Sequence, residues 1–286
     1  MKKKHNFLII AIILLIVSGL IFIYPTLSNF INQMNSDSEI RQYNNNVKLI
    51  SQNEKDNYLT EAKKYNENLS QNVSEAFSND SFNNMTEYEN ILNFGNGQIG
   101  NIRIPKIDVN LPVFHDTENA LREGAVHTAN TSFPIGGEST HSVISAHTAF
   151  PGRILFDNLT EMEIGDVFYI TVLDDTLKYK VVEINIVKPD DVSKLQIVNG
   201  KDYVTLVTCT PYSVNTHRLL VKGERIIETQ ASADILTDDT TDSPILIGPI
   251  VISSVIFVLL IVFLIVFKKR NKCPSEGQEV KNEQKT

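Results

Sequence analysis

The sequence predicts a mainly β fold, either a closed barrel or a sandwich, preceded by a helical extension. The main observation is a series of about eight short β-rich segments between residues 99 and 226, separated by turn-forming residues. This region shows no regular alternation of strands and helices, which argues against a parallel doubly wound sheet. Short helical connections are predicted at Thr117–Arg122 and Ile154–Leu159. In the polar sequence before it, sparse apolar residues recur at three- and four-residue steps and indicate amphipathic helices.

Two apolar, uncharged runs lie near the chain ends, at 7–24 and 244–267. Each is about the 20 residues that a helix needs to cross a bilayer. Basic clusters lie outside both runs, so the positive-inside rule places both termini in the cytoplasm and the middle of the chain outside. For the first run, a cleaved signal peptide is the alternative, but no clear small-x-small cleavage site follows. For the second, removal on lipid attachment is the alternative, although a basic stop and a polar tail favour a true span.

These features divide the chain into eight predicted segments. They are a cytoplasmic N-terminus (1–6), a transmembrane signal anchor (7–24), an extracellular helical extension (25–77), a loop and connector (78–98), the β domain (99–226), a flexible tether (227–243), a transmembrane helix (244–267) and a cytoplasmic tail (268–286). The extension fits two readings equally, a surface that docks on the β domain or a solvated spacer.

The charge of the exported portion limits its partners. Residues 25–244 contain 17 lysines and arginines against 31 aspartates and glutamates, which leaves a formal charge of −14. Long-range repulsion therefore argues against nucleic acid or another anionic polymer as the main partner.

The cysteines point to catalysis. Only Cys209 lies in the predicted exported portion, because Cys273 follows the second apolar run. Exported cysteines are normally paired in disulfides. A single unpaired cysteine with histidines elsewhere in the chain is a candidate nucleophile.

A hairpin around Cys209 supplies a candidate partner. Two β-rich runs, Tyr203–Cys209 and Thr216–Lys222, flank a short polar insert. Antiparallel pairing about that insert places Arg218 nearly opposite Cys209, with β-carbons about 4.5–5.5 Å apart. The permanent charge of the guanidinium favours a thiolate and could stabilise an oxyanion. The alternative is a buried structural cysteine beside an arginine on a solvated face.

His147 is the candidate acid or base. It ends an apolar β-run, Ser142–His147, at the mouth of a predicted strand, where catalytic groups are often placed. His217 is adjacent to Arg218 and points to the opposite face, which makes it a weaker partner for Cys209. The chain lacks closely spaced metal-ligand pairs, a Gly-x-Ser-x-Gly elbow and a glycine-rich phosphate loop. We therefore expect no metal and no cofactor.

Residues Thr205–Cys209 read Thr-Leu-Val-Thr-Cys, and the chain continues Thr-Pro-Tyr-Ser-Val-Asn-Thr-His-Arg-Leu-Leu-Val through Val221. The first motif resembles the TLxTC signature of the sortases, membrane-anchored cysteine transpeptidases of Gram-positive bacteria. The continuation resembles their class C, or pilus-assembling, branch. The segments Ile104–Ile107, Leu111–Val113 and Ser145–His147 fall where that family has its first strands and its catalytic histidine. The resemblance covers about residues 99 to 226.

This resemblance implies an eight-stranded sortase barrel with Cys209 as nucleophile, His147 as general acid and base, and Arg218 as oxyanion or substrate stabiliser. In the family, the cysteine cleaves the Thr–Gly bond of an LPxTG-like sorting signal on a surface protein or pilin. An amine then resolves the thioester, commonly a pilin lysine in class C. The alternatives are a sortase that uses a cell-wall peptidoglycan amine, and a catalytically silent surface binding protein.

Class C sortases also carry a lid with an Asp-Pro-aromatic motif. The nearest match is Asp80–Ser81–Phe82, which lacks the proline. Asp80 is expected to pair with Arg218 while Phe82 covers Cys209. Because serine does not restrain φ as proline does, the lid is expected to be less rigid. The loop Thr148–Ala149–Phe150 also departs from the commoner His-Arg-Gly form, which bears on signal or acceptor preference.

Overall fold

The structure, a computed structural model, describes residues 2–71, 85–94 and 96–227. The chain divides into two compact units, one formed by Met1–Leu27 with Asp238–Thr286 and the other by Ser28–Thr237. Of the first unit, the structure describes only residues 2–27, which are helical. The second unit contains the β domain and all the candidate catalytic residues.

Eight strands form a closed barrel in the order β1-β2-β3-β4-β7-β8-β6-β5. The strands are β1 (Gln98–Ile104), β2 (Val109–His115), β3 (Ala125–His127), β4 (Thr140–Ser145), β5 (Val167–Val172), β6 (Asp175–Val187), β7 (Asp202–Thr210) and β8 (His217–Ile226). The β1–β5 pairing closes the barrel, so the predicted β domain is a barrel and not a sandwich. Of the eight strand pairs, β2–β3 and β4–β7 are parallel and the others antiparallel.

The barrel interior is filled by apolar side chains that alternate along the strands. Ile102, Ile144, Phe168, Tyr179 and Leu206 are among the side chains with no measurable exposure. Such alternation explains why short β-rich segments were visible in the sequence. The order in which the strands meet is set by long-range pairing, above all of β7 with β4.

Two sequence predictions are wrong in detail. The predicted strand Ser142–His147 ends at Ser145, so His147 lies in the loop beyond β4. The helix predicted over Ile154–Leu159 is a 3-10 turn at Asp157–Glu161. Both errors occur in the loop after β4, whose apolar residues suggest a strand or a helix. Those residues are buried without forming either element; the buried residues are Ala146, Leu155, Phe156 and Leu159.

In the part of the chain that the structure describes, three α-helices precede the barrel: α1 (Lys2–Leu49), α2 (Gln52–Gln71) and α3 (Met85–Asn90). The second half of α1 buries Ile40, Tyr43 and Val47 at three- and four-residue spacing. The Tyr43 hydroxyl donates to the Ile99 carbonyl and accepts from the Leu173 backbone N–H, both at 2.9 Å. This side chain therefore joins α1 to β1 and to the β5–β6 turn.

The second helix is fixed to the barrel by a reciprocal pair of hydrogen bonds. The buried Asn66 amide donates to the Phe133 carbonyl at 3.0 Å and accepts from the Phe133 N–H at 2.7 Å. A buried polar side chain bonded in this way has a defined position, because leaving either partner unbonded would cost its desolvation energy. Of the two readings of the extension, the structure favours docking over a solvated spacer.

Among the residues that the structure describes, no helix combines the length and the apolarity needed to cross a membrane. The predicted signal anchor at 7–24 lies within α1, so this finding does not support it. The predicted second span, the tether beyond Ile227 and the cytoplasmic tail lie outside the described residues.

A short helix, α4 (Glu118–Glu123), connects β2 to β3 and agrees closely with the helix predicted at Thr117–Arg122. The Thr117 hydroxyl caps it by accepting a hydrogen bond from the Ala120 N–H at 3.2 Å.

Two buried histidines predict how the fold responds to acid. Burial lowers the pKa of His127 to about 3 and that of His141 to about 4. The unfolded chain therefore binds protons below about pH 6.5 that the folded protein does not, and stability falls as the pH falls. At pH 5.5 we expect a loss in the free energy of unfolding on the order of 1.4 kcal/mol for each histidine, relative to pH 7.5.

Urea titrations at pH 7.5 and 5.5 measure this loss. Repeating them at high salt supplies a control, because desolvation is screened far less than repulsion between surface charges. Burial raises the pKa of Asp116 and Asp202. In more acidic solution these two carboxyl groups bind protons in the folded protein and offset the loss of stability caused by the histidines. The comparison therefore stops at pH 5.5. An unchanged free energy of unfolding would contradict the assignment of neutral buried rings.

Candidate active site

The predicted pairing of Cys209 with Arg218 is confirmed by the barrel register. The two residues are direct partners in the antiparallel β7–β8 pair, next to the connecting turn. Residues directly opposite in such a pair project to the same face of the sheet. Cys209 is a free, partly buried thiol.

The β7–β8 turn holds the Arg218 side chain without neutralising it. The N–H groups of Val214 and Asn215 both donate to the Pro211 carbonyl at 3.0 Å, which closes the turn. The Arg218 Nη1 atom donates to the carbonyls of Asn215 at 3.2 Å and His217 at 3.1 Å. Among the described residues, no carboxylate forms an ion pair with Arg218, and both of these hydrogen-bond acceptors are neutral carbonyl oxygens.

His147 is brought to the same end of the barrel by the parallel β4–β7 pair. The register pairs Ser145 with Val207, and the Ala146 N–H continues it by donating to the Val207 carbonyl at 3.1 Å. The Thr208 hydroxyl donates to the Ala146 carbonyl at 2.8 Å. His147 lies two residues beyond Ser145, and Cys209 lies two residues beyond Val207, so both residues lie at the same end of the barrel.

The surroundings of His147 favour a neutral imidazole. Its ring stacks on Phe150, with centroids 5.2 Å apart and planes inclined by 15°. Partial burial lowers the pKa of His147, and the positive charge of Arg122 on α4 lowers it further. Neither ring nitrogen hydrogen-bonds to another described residue. In the neutral ring, one nitrogen can therefore accept a thiol proton and the other can donate to a substrate. A neutral imidazole is the form that can accept a proton as a general base.

Sequence patterns alone predict no role for Phe150 or Arg122. The only sequence signal at Phe150 is that the loop after His147 departs from the commoner His-Arg-Gly form. Arg122 lies 25 residues before His147 and carries no motif, and only the folding of α4 against the barrel brings it near. Its contribution could not be read from sequence.

The predicted lid residues, Asp80 and Phe82, lie outside the described residues. Their pairing with Arg218 and Cys209 stays a prediction.

His217 pairs with Thr210 in the β7–β8 register and has its Nδ1 atom 3.0 Å from the Thr216 hydroxyl.

A thiol, an imidazole and a guanidinium thus lie at one end of a closed eight-stranded barrel, an arrangement that is typical of a cysteine-nucleophile enzyme. Comparison with known proteins gives its family. A model of the Sortase domain matches residues 102–226. The chain belongs to the sortase family of cysteine transpeptidases.

Among solved structures, sortase C1 from Streptococcus agalactiae is 38% identical, with a TM-score of 0.62 over 67% of this chain and 100% of that chain. A sortase C of Clostridium perfringens, solved with the C-terminal cell wall sorting motif, is also 38% identical, with a TM-score of 0.58 over 67% of this chain and 99% of that chain. These structural neighbours place the chain with the class C enzymes.

Curated relatives are more distant. Sortase A of Staphylococcus aureus is 29% identical over 225 residues, which is 76% of this chain and 93% of that protein. Sortase A of Streptococcus agalactiae is 30% identical over 129 residues, 44% of this chain. This chain spans about half the length of that second relative, 52%.

Proposed function

We propose that this protein cleaves an LPxTG-like sorting signal through a thioester on Cys209 and transfers the acyl group to an amine, most directly a pilin lysine. The observation that carries the proposal is the strand register, which pairs Cys209 with Arg218 across β7–β8 and leads His147, just beyond β4, to the same end of the barrel. The class C neighbours support the pilin acceptor, and the sorting motif bound by one of them supports the substrate class.

In the first half-reaction, the neutral imidazole of His147 accepts the Cys209 thiol proton, and the thiolate attacks the threonine carbonyl carbon of the Thr–Gly bond. Arg218 stabilises the negative charge on the carbonyl oxygen of the tetrahedral intermediate. The C–N bond then breaks, and the imidazolium returns its proton to the departing glycine amine. The product is a thioester on Cys209.

In the second half-reaction, an amine attacks the thioester carbon and His147 accepts the amine proton. The C–S bond breaks, which releases the new amide and the Cys209 thiolate, and the imidazolium of His147 returns the proton to the thiolate to restore the starting state.

Intact-protein mass spectrometry tests this assignment. After incubation with an LPxTG-type peptide, the full chain in detergent should gain the mass of the acyl fragment on Cys209, and added amine should remove it. A lysine-containing pilin-type peptide and a peptidoglycan-type amine, supplied in competition, separate pilus assembly from cell-wall anchoring. If no adduct forms with any LPxTG-type peptide, a surface binding protein becomes the better reading.

The membrane placement is proposed from the sequence, with the catalytic domain on the extracellular face and both termini in the cytoplasm. Cys273 should then resist a membrane-impermeant thiol reagent in intact cells, whereas a cysteine introduced at Ser232 should react. Labelling of Cys273 would overturn the two-span topology.

A further inference from the structure

The loop that follows His147 is ordered by its own hydrogen bonds at both ends. The Asp157 carboxylate accepts from the Ala149 and Leu155 N–H groups, both at 2.9 Å. The Phe156 N–H donates to the His147 carbonyl at 3.1 Å. At the tip, the Arg153 N–H donates to the Phe150 carbonyl at 3.3 Å, whereas the Gly152 carbonyl and the Ile154 N–H find their partners outside the loop.

The tip is held by three side chains of α1. The Asn32 amide donates to the Gly152 carbonyl at 2.6 Å, and the Ser28 hydroxyl donates to the same oxygen at 3.1 Å. The Asn29 side-chain oxygen accepts from the Ile154 N–H at 3.1 Å. Ser28 and Asn32 are four residues apart and therefore lie on one face of the helix. We call these three residues the α1 clamp.

Gly152 permits the close approach of the two elements. Its φ of +78° is in the left-handed region that glycine adopts without strain. A β-carbon at this position would lie 2.5 Å from the Ser28 hydroxyl oxygen, well inside contact distance. The backbone of the loop and the face of α1 are therefore fitted to each other at this glycine.

The other side of the tip is held by α4. Arg153 donates to the Glu123 backbone carbonyl at 2.7 Å and to its carboxylate at 2.6 Å, and its side chain is only 15% exposed. The neighbouring residue on α4, Arg122, is the one whose charge acts on His147. The loop is thus fixed between two helices, and Phe150, two residues before Gly152, is carried by the fixed segment.

We propose that the α1 clamp is a positioning device for catalysis, which sets Phe150 against the His147 imidazole by fixing the tip of the loop. This inference rests on the proposed role of His147. The helix makes no contact with the substrate in this scheme and acts only through the loop. Displacement of a reacting group by about 1 Å can cost on the order of a hundredfold in rate, so a clamp of this kind has a measurable effect.

Paired isosteric variants test the clamp. Asn32 must donate, because its partner is a carbonyl, whereas Asn29 must accept, because its partner is an N–H. Asn32→Asp removes the donor and should lower kcat about tenfold while KM stays within twofold. Asn29→Asp keeps the acceptor and should retain kcat within twofold. The Asn35→Ala/Ser38→Ala double variant changes exposed residues of the same helix and is the matched control for Ser28→Ala/Asn32→Ala.

A second measurement does not depend on sorting chemistry. In Asn32→Asp and in Ser28→Ala/Asn32→Ala, the pKa of His147 measured by NMR should rise towards its ordinary value, because release of Phe150 rehydrates the ring. The control variant should leave it unchanged. Wild-type kcat and an unshifted His147 titration in the clamp variants would overturn the inference while leaving the proposed function intact. If the wild-type protein forms no acyl-enzyme, the proposed function is overturned instead. The NMR titration of His147 would still test the clamp in that case.

Discussion

Cys209→Ala is expected to abolish transpeptidation, with no acyl-enzyme detectable by mass spectrometry, while the barrel stays folded. In the proposed reaction the Cys209 thiol forms the covalent intermediate, so its loss removes the reaction path and does not merely lower the rate. Cys209 is partly buried, and its replacement by a residue of similar size removes little packing. Liquid chromatography of the transfer product checks the loss of activity. The thermal unfolding midpoint checks that the barrel stays folded.

A matched control for this variant is Thr210→Ser, one position further along β7, which keeps the hydroxyl and removes one methyl group. It should retain most of the activity. Residual transpeptidation by Cys209→Ala above the rate of the uncatalysed exchange would show that another residue is the nucleophile.

Arg218→Ala and His147→Ala should each lower kcat/KM by at least about two orders of magnitude, the usual scale for an oxyanion donor or a general acid and base. Arg218→Lys should fall between wild type and Arg218→Ala, because it retains a charge but not the planar fork that the turn carbonyls hold. The measurement is steady-state transfer of an LPxTG-type peptide to an amine.

His217→Ala is the control for both variants. His217 is the neighbour of Arg218 in sequence, yet its side chain is directed to the other face of β8. It should retain activity within a few fold. Near-wild-type transfer by Arg218→Ala would remove its assigned role in stabilising the oxyanion, whereas loss on His217→Ala would mean that the histidine has been assigned wrongly.

The Cys209–Arg218 pair could be predicted because it depends on local structure. Two β-rich runs joined by a short turn pair with each other in a register that the turn sets, so residues at equal distances from the turn meet. The β7–β8 register follows that expectation. His147 was identified from its position after an apolar run and from family motifs, although the strand itself ends two residues earlier, at Ser145.

The approach of His147 to Cys209 could not be derived from local patterns. It depends on β7 pairing in parallel with β4 after the chain has passed through β5 and β6. No turn links β4 to β7, and their alternating patterns are compatible with other neighbours in a barrel or sandwich. Closure of the barrel decides between these arrangements, because every strand must find two partners with its apolar face inward.

By itself, the sequence determined the mainly β character of residues 99–226, the amphipathic helices before them and the pairing of Cys209 with Arg218, since each follows from residue type and spacing along a short stretch. Only the tertiary structure decided that α1 holds the loop after His147, that Phe150 stacks on the imidazole and that Arg122 lies near enough to lower its pKa. Ser28 and Gly152 are 124 positions apart, and a hydrogen bond at that separation leaves no periodic trace in either segment. Such contacts arise when packing of the core brings two surfaces together, and they are therefore decided by the whole fold.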